Sequence, residues 1–452
     1  MRKPKLILGI LMHDAGRQFG CYGAADASTP NIDQMAAEGV LFDNHFSTGT
    51  VCVPSRASIL TGKYLHNAET CFYRPNVETL PRLLRSAGFT SIRCGFAEEK
   101  EYRSIAGGPY PYGDLDCSGC RLLGYDRSIT NSASASDVVD TVIGLLKDRT
   151  DDAPLYIAAA FSEAHAPLNH PITESDIDRA VIPPLLPQVP DVRPARTFLA
   201  RLAKSVSAAD TAIGRLTACI RSLGLFEETL LYFSCDHGID LPRAKQSAYD
   251  SGIGVPLIFW GGCLPESGIV AHGLSSHVDL MPTLCEWVGI QPPSDCCGIS
   301  QIPQLEGQPG GRSACFAEVS FDNTDAPVRA IRTKNRKLIL NMNPGLPVAT
   351  GNTFTEMVGC DVLTPIYCAP RPYEEFYDLE KDPCELNNLA ESAVYAEERQ
   401  ALKARLFAEL ARTNDRILCA DSPYAHPDTD HAISMWHKLP DGSFVLQPRC
   451  SE

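Results

Sequence analysis

The chain contains 452 residues, of which 44% are hydrophobic and 21% charged, and its formal net charge is −15. This composition is ordinary for a globular protein, and the length suits two or three domains or one large α/β domain with an appendage. The negative charge argues against nonspecific binding to nucleic acid or to an anionic membrane, since both require basic surfaces. An anionic substrate must therefore be attracted by cations close to its site.

The 18 cysteines are scattered along the chain, which is far larger than the domains that need disulfide staples. We therefore interpret most of them as small buried residues. No apolar run is long enough to predict a transmembrane helix. The basic and then apolar N-terminus runs into His13 and Asp14 without a small-residue cleavage site, so we expect a cytoplasmic protein.

The first predicted element is a buried parallel strand at Leu6–Met12, because this segment is apolar throughout. Its carboxyl end, where α/β sheets place their sites, presents His13 and Asp14. A carboxylate at a strand end suits a hard divalent cation such as Ca²⁺, and Asp14 fits that role. His13 is a poorer calcium ligand; it can bind the metal, contact substrate or only make a hydrogen bond.

In the stretch from Val51 to His66, a helix is predicted to start at Ser55, because Pro54 suits the first helical turn. Cys52 then lies beside a helix N-terminus, where unpaired N–H groups favour an anion or a thiolate. Arg56 lies one turn further and can clamp an oxyanion. The residues alone also allow a turn with a buried structural cysteine.

Two more buried strands are predicted at Leu155–Phe161 and at Leu230–Ser234. The first is followed by His165, a candidate general acid because imidazole can protonate a leaving group near neutral pH. The second is followed by Asp236 and His237. If these strands neighbour the first one, a cation can neutralise the two aspartates that their ends bring together. Between them, a proline-rich irregular segment over 171–194 and a long helix from Phe198 to Leu223 are expected.

The pattern changes at about residue 310, where short strands with hairpin-like spacing and a helix over 396–414 predict a small antiparallel subdomain. We therefore expect a catalytic α/β domain over 1–310, an α+β subdomain over 311–418 and a tail over 419–452. The tail contains His426, His431, Trp436 and His437, and is expected to pack on the body or on a second subunit of a homo-oligomer.

The segment that begins at Cys52 resembles the signature of the type I sulfatases, which is Cys-x-Pro-Ser-Arg followed by Leu-Thr-Gly. Seven positions match: Cys52, Pro54, Ser55, Arg56, Leu60, Thr61 and Gly62. In that family the cysteine is oxidised by a formylglycine-generating enzyme, and the hydrated formylglycine attacks sulfur. The resemblance implies an alkaline-phosphatase-like α/β fold, with a large mixed, mainly parallel sheet between helices and a smaller C-terminal antiparallel sheet.

The segments 29–42 and 240–258 resemble the heparan N-sulfatase-like branch more closely. The resemblance implies a small sulfated sugar as substrate. It also implies one divalent cation, with Ca²⁺ expected and Mn²⁺, Mg²⁺ or Zn²⁺ as alternatives. Its ligands would be Asp14, Asp236, His237, the modified Cys52 and in one interpretation His13. Lys245 and Arg56 would stabilise the sulfuryl oxygens, Arg243 would be a weaker substrate-binding cation, and His165 would protonate the leaving group.

Two departures from the family pattern leave the reaction open. His13 stands where most sulfatases have an aspartate, and the family's Gly-Lys-x-His reads Gly95-Phe96-Ala97-Glu98 here. Glu98 can replace the family's histidine as a base, bind substrate or be solvated, and Lys100 can supply the missing cation to the substrate. A phosphonate or phosphate mono- or diester hydrolase and an inactive sulfatase-like binding protein are therefore alternatives.

Overall fold

The computed structural model describes residues 2–25, 27–68, 77–96, 123–129, 133–150, 152–320, 327–342, 344–345, 369–415, 417, 436–438 and 444–446. The strands are β1 (Leu6–Met12), β2 (Val40–Phe42), β3 (His45–Phe46), β4 (Thr90–Gly95), β5 (Arg127–Ile129), β6 (Leu155–Phe161), β7 (Thr229–Cys235), β8 (Leu257–Trp260), β9 (Ile269–Ala271), β10 (Ser275–Ser276), β11 (Cys315–Val319), β12 (Val328–Arg332), β13 (Arg336–Asn341), β14 (Glu374–Asp378), β15 (Trp436–Lys438) and β16 (Phe444–Leu446).

The α-helices are α1 (Pro30–Glu38), α2 (Cys52–Thr61), α3 (Leu65–Ala68), α4 (Leu80–Ser86), α5 (Ala135–Lys147), α6 (Glu174–Arg179), α7 (Arg193–Ser222), α8 (Asp250–Ile253), α9 (Leu280–Val288), α10 (Ile302–Leu305) and α11 (Ala396–Arg412). Short 3₁₀ helices lie at Gly20–Tyr22, Phe226–Glu228, His277–Asp279 and Ala393–Tyr395. None of the helices in the described part of the chain is long and apolar enough to cross a membrane.

Eight strands form one large sheet in the order β5-β4-β6-β1-β7-β8-β2-β9. The first five in this order run parallel, and β8 is antiparallel to both of its neighbours. Side chains of β1 alternate between two cores, with Leu8 and Ile10 facing α5 and α7, and Ile7 facing α4 and α9. The sheet is therefore covered by helices on both faces, which confirms the prediction made from the uninterrupted apolar run.

The proline-rich segment contains more helix than predicted. Thr173 and Asp176 form a capping box that starts α6, because each side chain accepts a hydrogen bond from the other residue's backbone N–H. Helix α7 begins at Arg193, five residues before the predicted start, and Pro194 occupies its first turn. A proline there loses no helical hydrogen bond, so the end of this segment is part of the helix.

The C-terminal region forms a second sheet of four antiparallel strands in the order β11-β12-β13-β14. Helix α11 packs on one face of this sheet through Leu402, Leu406 and Leu410, which contact Leu338 and Phe376. This confirms the predicted small antiparallel sheet with a helix on it. The predicted boundary at residue 310 stays a prediction.

The two sheets are joined through a buried ionic cluster around Lys337 of β13. Its Nζ lies 2.8 Å from Asp250 Oδ1 of α8 and 2.9 Å from Glu385 Oε1, and the lysine side chain is fully buried. We expect Lys337→Met to lower the free energy of unfolding by about 3–5 kcal/mol, because it leaves two buried carboxylates short of a cation. Urea denaturation measures this, with Lys381→Met as the control, since Lys381 is a solvent-exposed partner of Asp378. Equal losses in the two variants would contradict the prediction.

A second buried link contains His66, whose Nδ1 lies 3.0 Å from both oxygens of Glu318 and 3.5 Å from Asp415 Oδ2. Burial alone would lower the pKa of His66, but Glu318 and Asp415 outweigh it and raise the pKa above 6.5. Burial would likewise raise the pKa of Glu318, but His66 and Arg329 bring that pKa down to about 2. Both charges are thus favoured in the folded chain.

The stabilisation from His66 is complete below its unfolded pKa of 6.5 and is lost as pH rises through its higher folded pKa. The stabilisation from Glu318 is present above 4.5 and is lost as pH falls through about 2. We expect His66→Gln to lower the free energy of unfolding by about 2 kcal/mol between pH 4.5 and pH 6.5, the unfolded pKa values of Glu318 and His66. The loss should become progressively smaller at higher pH. Denaturation at several pH values measures this, with the exposed His272→Gln as control; a pH-independent difference would refute it.

Candidate active site

The site is built where β1 and β7 end side by side. Met12 is in register with Cys235, so Asp14 and Asp236 follow the two strands at the same edge of the sheet. Asp14 N donates a hydrogen bond to Asp236 Oδ1 at 3.0 Å, and both side chains are fully buried. The predicted meeting of the two carboxylates is thus found, and such a buried pair needs positive charge nearby.

The thiol of Cys52 points at this pair. Helix α2 begins at Cys52 itself, three residues before the predicted start, with Pro54 in its first turn. Cys52 Sγ lies 3.2 Å from His237 Nε2 and 3.7 Å from Asp14 Oδ1. His237 Nδ1 lies 2.9 Å from the Gly238 carbonyl, which can only accept, so Nδ1 carries a proton and Nε2 is the nitrogen that faces Cys52.

These groups fit a divalent cation. Ligand atoms of His13, Asp14, Cys52 and Asp236 all lie within 4.8 Å of one another. Asp236 Oδ2 is buried and accepts no well-formed hydrogen bond from the described residues, although His13 Nδ1 lies 3.0 Å away. Two carboxylates, one unprotonated imidazole nitrogen and residue 52 could hold the ion.

Two cations flank the carboxylates. Lys245 Nζ lies 2.7 Å from Asp14 Oδ2, and Arg56 Nε lies 3.7 Å from Asp236 Oδ2. Burial alone would raise the pKa of Asp14, but Lys245 and His237 outweigh it and lower that pKa. Burial acts in the same way on Asp236, but the neighbouring His237 and Arg56 hold the pKa of that carboxyl well below its usual range. Both carboxylates therefore stay ionised at neutral pH.

His13 lies between Asp236 and Arg56. Its Nε2 accepts a short contact from the Arg56 guanidinium, and its Nδ1 faces Asp236. Burial, and after it the charge of Arg56, lowers the pKa of His13 to about 4, so the ring is neutral. The structure thus places His13 within the site, and each of its predicted roles stays open.

His165 completes the site from the loop after β6. One of its ring nitrogens lies within 4.8 Å of Cys52 Sγ and of a ring nitrogen of His13. Its Nδ1 lies 2.7 Å from the Ala166 carbonyl, so this nitrogen carries a proton and Nε2 is the exchangeable one. The Phe96 ring packs against both histidines, with centroids 4.4 Å from His13 and 5.8 Å from His165.

Three predicted residues, Arg243, Glu98 and Lys100, are not among the groups described so far. Arg243 is buried; its guanidinium lies over the Tyr249 ring at 3.6 Å and donates to the Glu385 carbonyl at 2.6 Å. These contacts join Arg243 to the C-terminal region, and its contact with substrate stays a prediction. Glu98 and Lys100 lie outside the described residues.

Ser55 is a supporting residue that sequence reasoning did not identify. Its Oγ donates to the Asp236 carbonyl and lies 3.1 Å from His277 Nδ1, so it ties α2 to the end of β7. Ser55 and His277 are 222 residues apart, and neither spacing nor composition signals that they meet.

The site combines a buried nucleophile candidate at a helix N-terminus with carboxylates at the strand ends of a mixed sheet, an arrangement suited to nucleophilic catalysis in an α/β enzyme. A family profile described as Sulfatase matches residues 5–290, which is more than half of the chain. The chain therefore belongs to the sulfatase family and is an enzyme of the sulfatase or sulfamidase type, as the resemblance predicted.

Two curated relatives illustrate the relationship. Human N-sulphoglucosamine sulphohydrolase is 26% identical over 473 aligned positions, which cover 92% of each chain. An ulvan-active sulfatase of Formosa agariphila is also 26% identical and covers 98% of this chain and 80% of its own.

Two solved structures show the same fold. One was determined in complex with its substrate, D-glucosamine-2-N,6-O-disulfate; it has a TM-score of 0.69 and 19% identity, and covers 92% of this chain and 99% of its own. The other is the phosphonate monoester hydrolase of Agrobacterium radiobacter, with a TM-score of 0.67, 20% identity and coverage of 98% and 100%. At these identities the similarity defines the architecture alone.

Proposed function

We propose that this enzyme hydrolyses a sulfate ester or sulfamate of a sulfated sugar, through a formylglycine formed from Cys52 and with a divalent cation, Ca²⁺ in the mature enzyme. The observation that carries the proposal is the position of Cys52, whose Sγ faces His237 and Asp14 at the start of a buried helix. The human relative, named for N-sulphoglucosamine, supports the substrate class.

Two groups outside the encoded side chains supply part of the chemistry. A hydrated formylglycine at position 52, made by a formylglycine-generating enzyme, would supply the nucleophilic oxygen and a second oxygen on the same carbon that allows sulfate to leave. A divalent cation would supply positive charge to stabilise the sulfuryl group. The residues that would hold this cation are Asp14, Asp236 and His237, together with residue 52.

The chain's own residues complete the reaction. Arg56 and Lys245 supply positive charge beside the attacked sulfur, and both are positioned by buried carboxylates before substrate binds. His165 holds one proton on Nδ1 through the Ala166 carbonyl, so Nε2 is the atom that delivers a proton to the leaving oxygen or nitrogen. Phe96 covers His13 and His165 and limits the access of water to these rings.

The test is a comparison of substrates with protein that was produced together with the modifying enzyme. Mass spectrometry of the peptide that contains Cys52 should show the loss of mass that accompanies conversion of the thiol to an aldehyde. Initial rates should then be measured on N-sulfoglucosamine, an aryl sulfate and an aryl phosphate. We expect both sulfated compounds to be hydrolysed at least about 100-fold faster than the phosphate. A preference for aryl phosphate would support the phosphoesterase alternative, and no turnover by modified protein would support the binding-protein alternative.

A further inference from the structure

The gene-encoded thiol of Cys52 belongs to a set of four potential metal ligands. Besides Cys52 Sγ, the set contains His237 Nε2, Asp14 Oδ1 and the carboxylate of Asp236, whose Oδ2 accepts no well-formed hydrogen bond from the described residues. His237 Nε2 lies 3.2 Å from Cys52 Sγ, 3.3 Å from Asp14 Oδ1 and 3.9 Å from Asp236 Oδ1. Cys52 Sγ lies 3.7 Å from Asp14 Oδ1. All four side chains are buried.

This spacing matches a small tetrahedral ion. Zinc binds sulfur at about 2.3 Å and nitrogen or oxygen at about 2.0–2.2 Å, so neighbouring ligands on a tetrahedral Zn²⁺ lie about 3.3–3.7 Å apart. The three separations among His237 Nε2, Cys52 Sγ and Asp14 Oδ1 fall in or close to this range.

The kinds of ligand also select zinc over calcium. Ca²⁺ takes six to eight oxygen ligands, whereas thiolate and imidazole favour zinc and its neighbours in the first transition series. We propose that the chain with unmodified Cys52 is a zinc-binding protein, in which Cys52 Sγ, His237 Nε2 and the carboxylates of Asp14 and Asp236 hold one Zn²⁺. On binding, a zinc–sulfur bond forms and the thiol proton is released to solvent.

The surroundings already orient these ligands. His237 Nδ1 donates to the Gly238 carbonyl, which fixes the tautomer that leaves Nε2 available. Asp14 Oδ2 is bound by Lys245, which leaves Oδ1 on the side of Cys52 and His237. Asp236 Oδ1 accepts hydrogen bonds from the backbone N–H groups of Asp14 and His237, which hold its carboxylate in place.

Zinc binding by the unmodified thiol of Cys52 would not depend on turnover by the modified enzyme. Oxidation of Cys52 to an aldehyde removes the single sulfur ligand and leaves oxygen ligands together with one imidazole. The same covalent change that creates the catalytic group would therefore shift the preference of the site from zinc towards oxygen-binding cations such as Ca²⁺.

The experiment uses the full chain produced without a formylglycine-generating enzyme, with Co²⁺ as a spectroscopic replacement for Zn²⁺. We expect a thiolate-to-cobalt charge-transfer absorption in the near ultraviolet when one equivalent of Co²⁺ is added, and its loss when Zn²⁺ is added. In Cys52→Ser the charge-transfer band should disappear and the zinc affinity should fall at least about 100-fold, as measured by competition with a chelating dye.

Cys235→Ala is the matched control, because this buried thiol directly precedes Asp236 in the chain. The control should keep both the band and the zinc affinity. Zinc K-edge absorption spectroscopy on the unmodified wild-type chain should show one sulfur neighbour at about 2.3 Å, and this measurement needs no variant to fold.

The proposal is overturned if the zinc spectrum contains no sulfur neighbour, if the band survives in folded Cys52→Ser, or if Cys235→Ala alone removes it. A negative result leaves the hydrolase assay on modified protein unaffected, because that assay follows sulfate release from an enzyme without the thiol. Failure of the proposed function would likewise leave the zinc spectra unchanged.

Discussion

Replacing Cys52 by serine is expected to abolish multiple turnover, with kcat reduced on the order of 10³-fold or more. A serine hydroxyl can attack sulfur from the same position at the start of α2. It has no second oxygen on the same carbon, so the sulfated side chain cannot expel sulfate as a hydrated aldehyde does. Steady-state release of sulfate from N-sulfoglucosamine measures the loss, and mass spectrometry of the intact protein should detect a retained sulfuryl group.

Cys285→Ser is the control for this prediction. Cys285 is a buried thiol in α9, in the core on the face of the sheet that contacts α4, and none of the contacts described for the site includes it. This variant should retain activity close to that of the wild type. Full multiple-turnover activity in Cys52→Ser would rule out the formylglycine mechanism.

Asp236→Asn should have the second largest effect, with kcat/KM lowered about 10²- to 10³-fold. The asparagine oxygen can still accept the two backbone hydrogen bonds that now bind Asp236 Oδ1, so the turn after β7 should persist. The negative charge facing His13, Arg56 and His237 is lost, however, and a cation at the site then has one carboxylate instead of two. Calorimetric titration with Ca²⁺ should show a matching loss of affinity.

Asp210→Asn is the matched control for the change at Asp236. Asp210 is also buried and also accepts from a backbone N–H, that of Ile32 at 2.8 Å, but it lies in α7 against α1. We expect normal metal affinity and activity in this variant. Unchanged calcium affinity in folded Asp236→Asn would show that Asp236 does not bind the metal.

The centre of the site was predictable because each part follows from a local pattern. An apolar run without alternation indicates a strand covered on both faces, and the polar residues that directly follow it lie at the sheet edge. Asp14 and Asp236 were therefore placed correctly from two short segments. Cys52 was placed at a helix start because Pro54 suits the first turn, although the helix begins three residues earlier than predicted.

The two cations of one loop show what local spacing does not reveal. Arg243 and Lys245 are two residues apart, yet Lys245 binds Asp14 while Arg243 lies on Tyr249 and binds the Glu385 carbonyl. Arg243 has a φ of +63°, in the left-handed region, and its side chain and that of Lys245 contact different parts of the chain. The spacing of the residues gave no indication of this turn.

The sequence by itself thus determined the buried strands, the polar residues at their ends and the cysteine beside a helix N-terminus, because hydrophobic pattern and proline act over a few residues. Only the tertiary structure decided which groups meet across the chain: His13 between Asp236 and Arg56, Ser55 beside His277, and Arg243 beside the Glu385 carbonyl. Such contacts depend on strand order and on turn geometry, which hundreds of intervening residues determine together and no local spacing encodes.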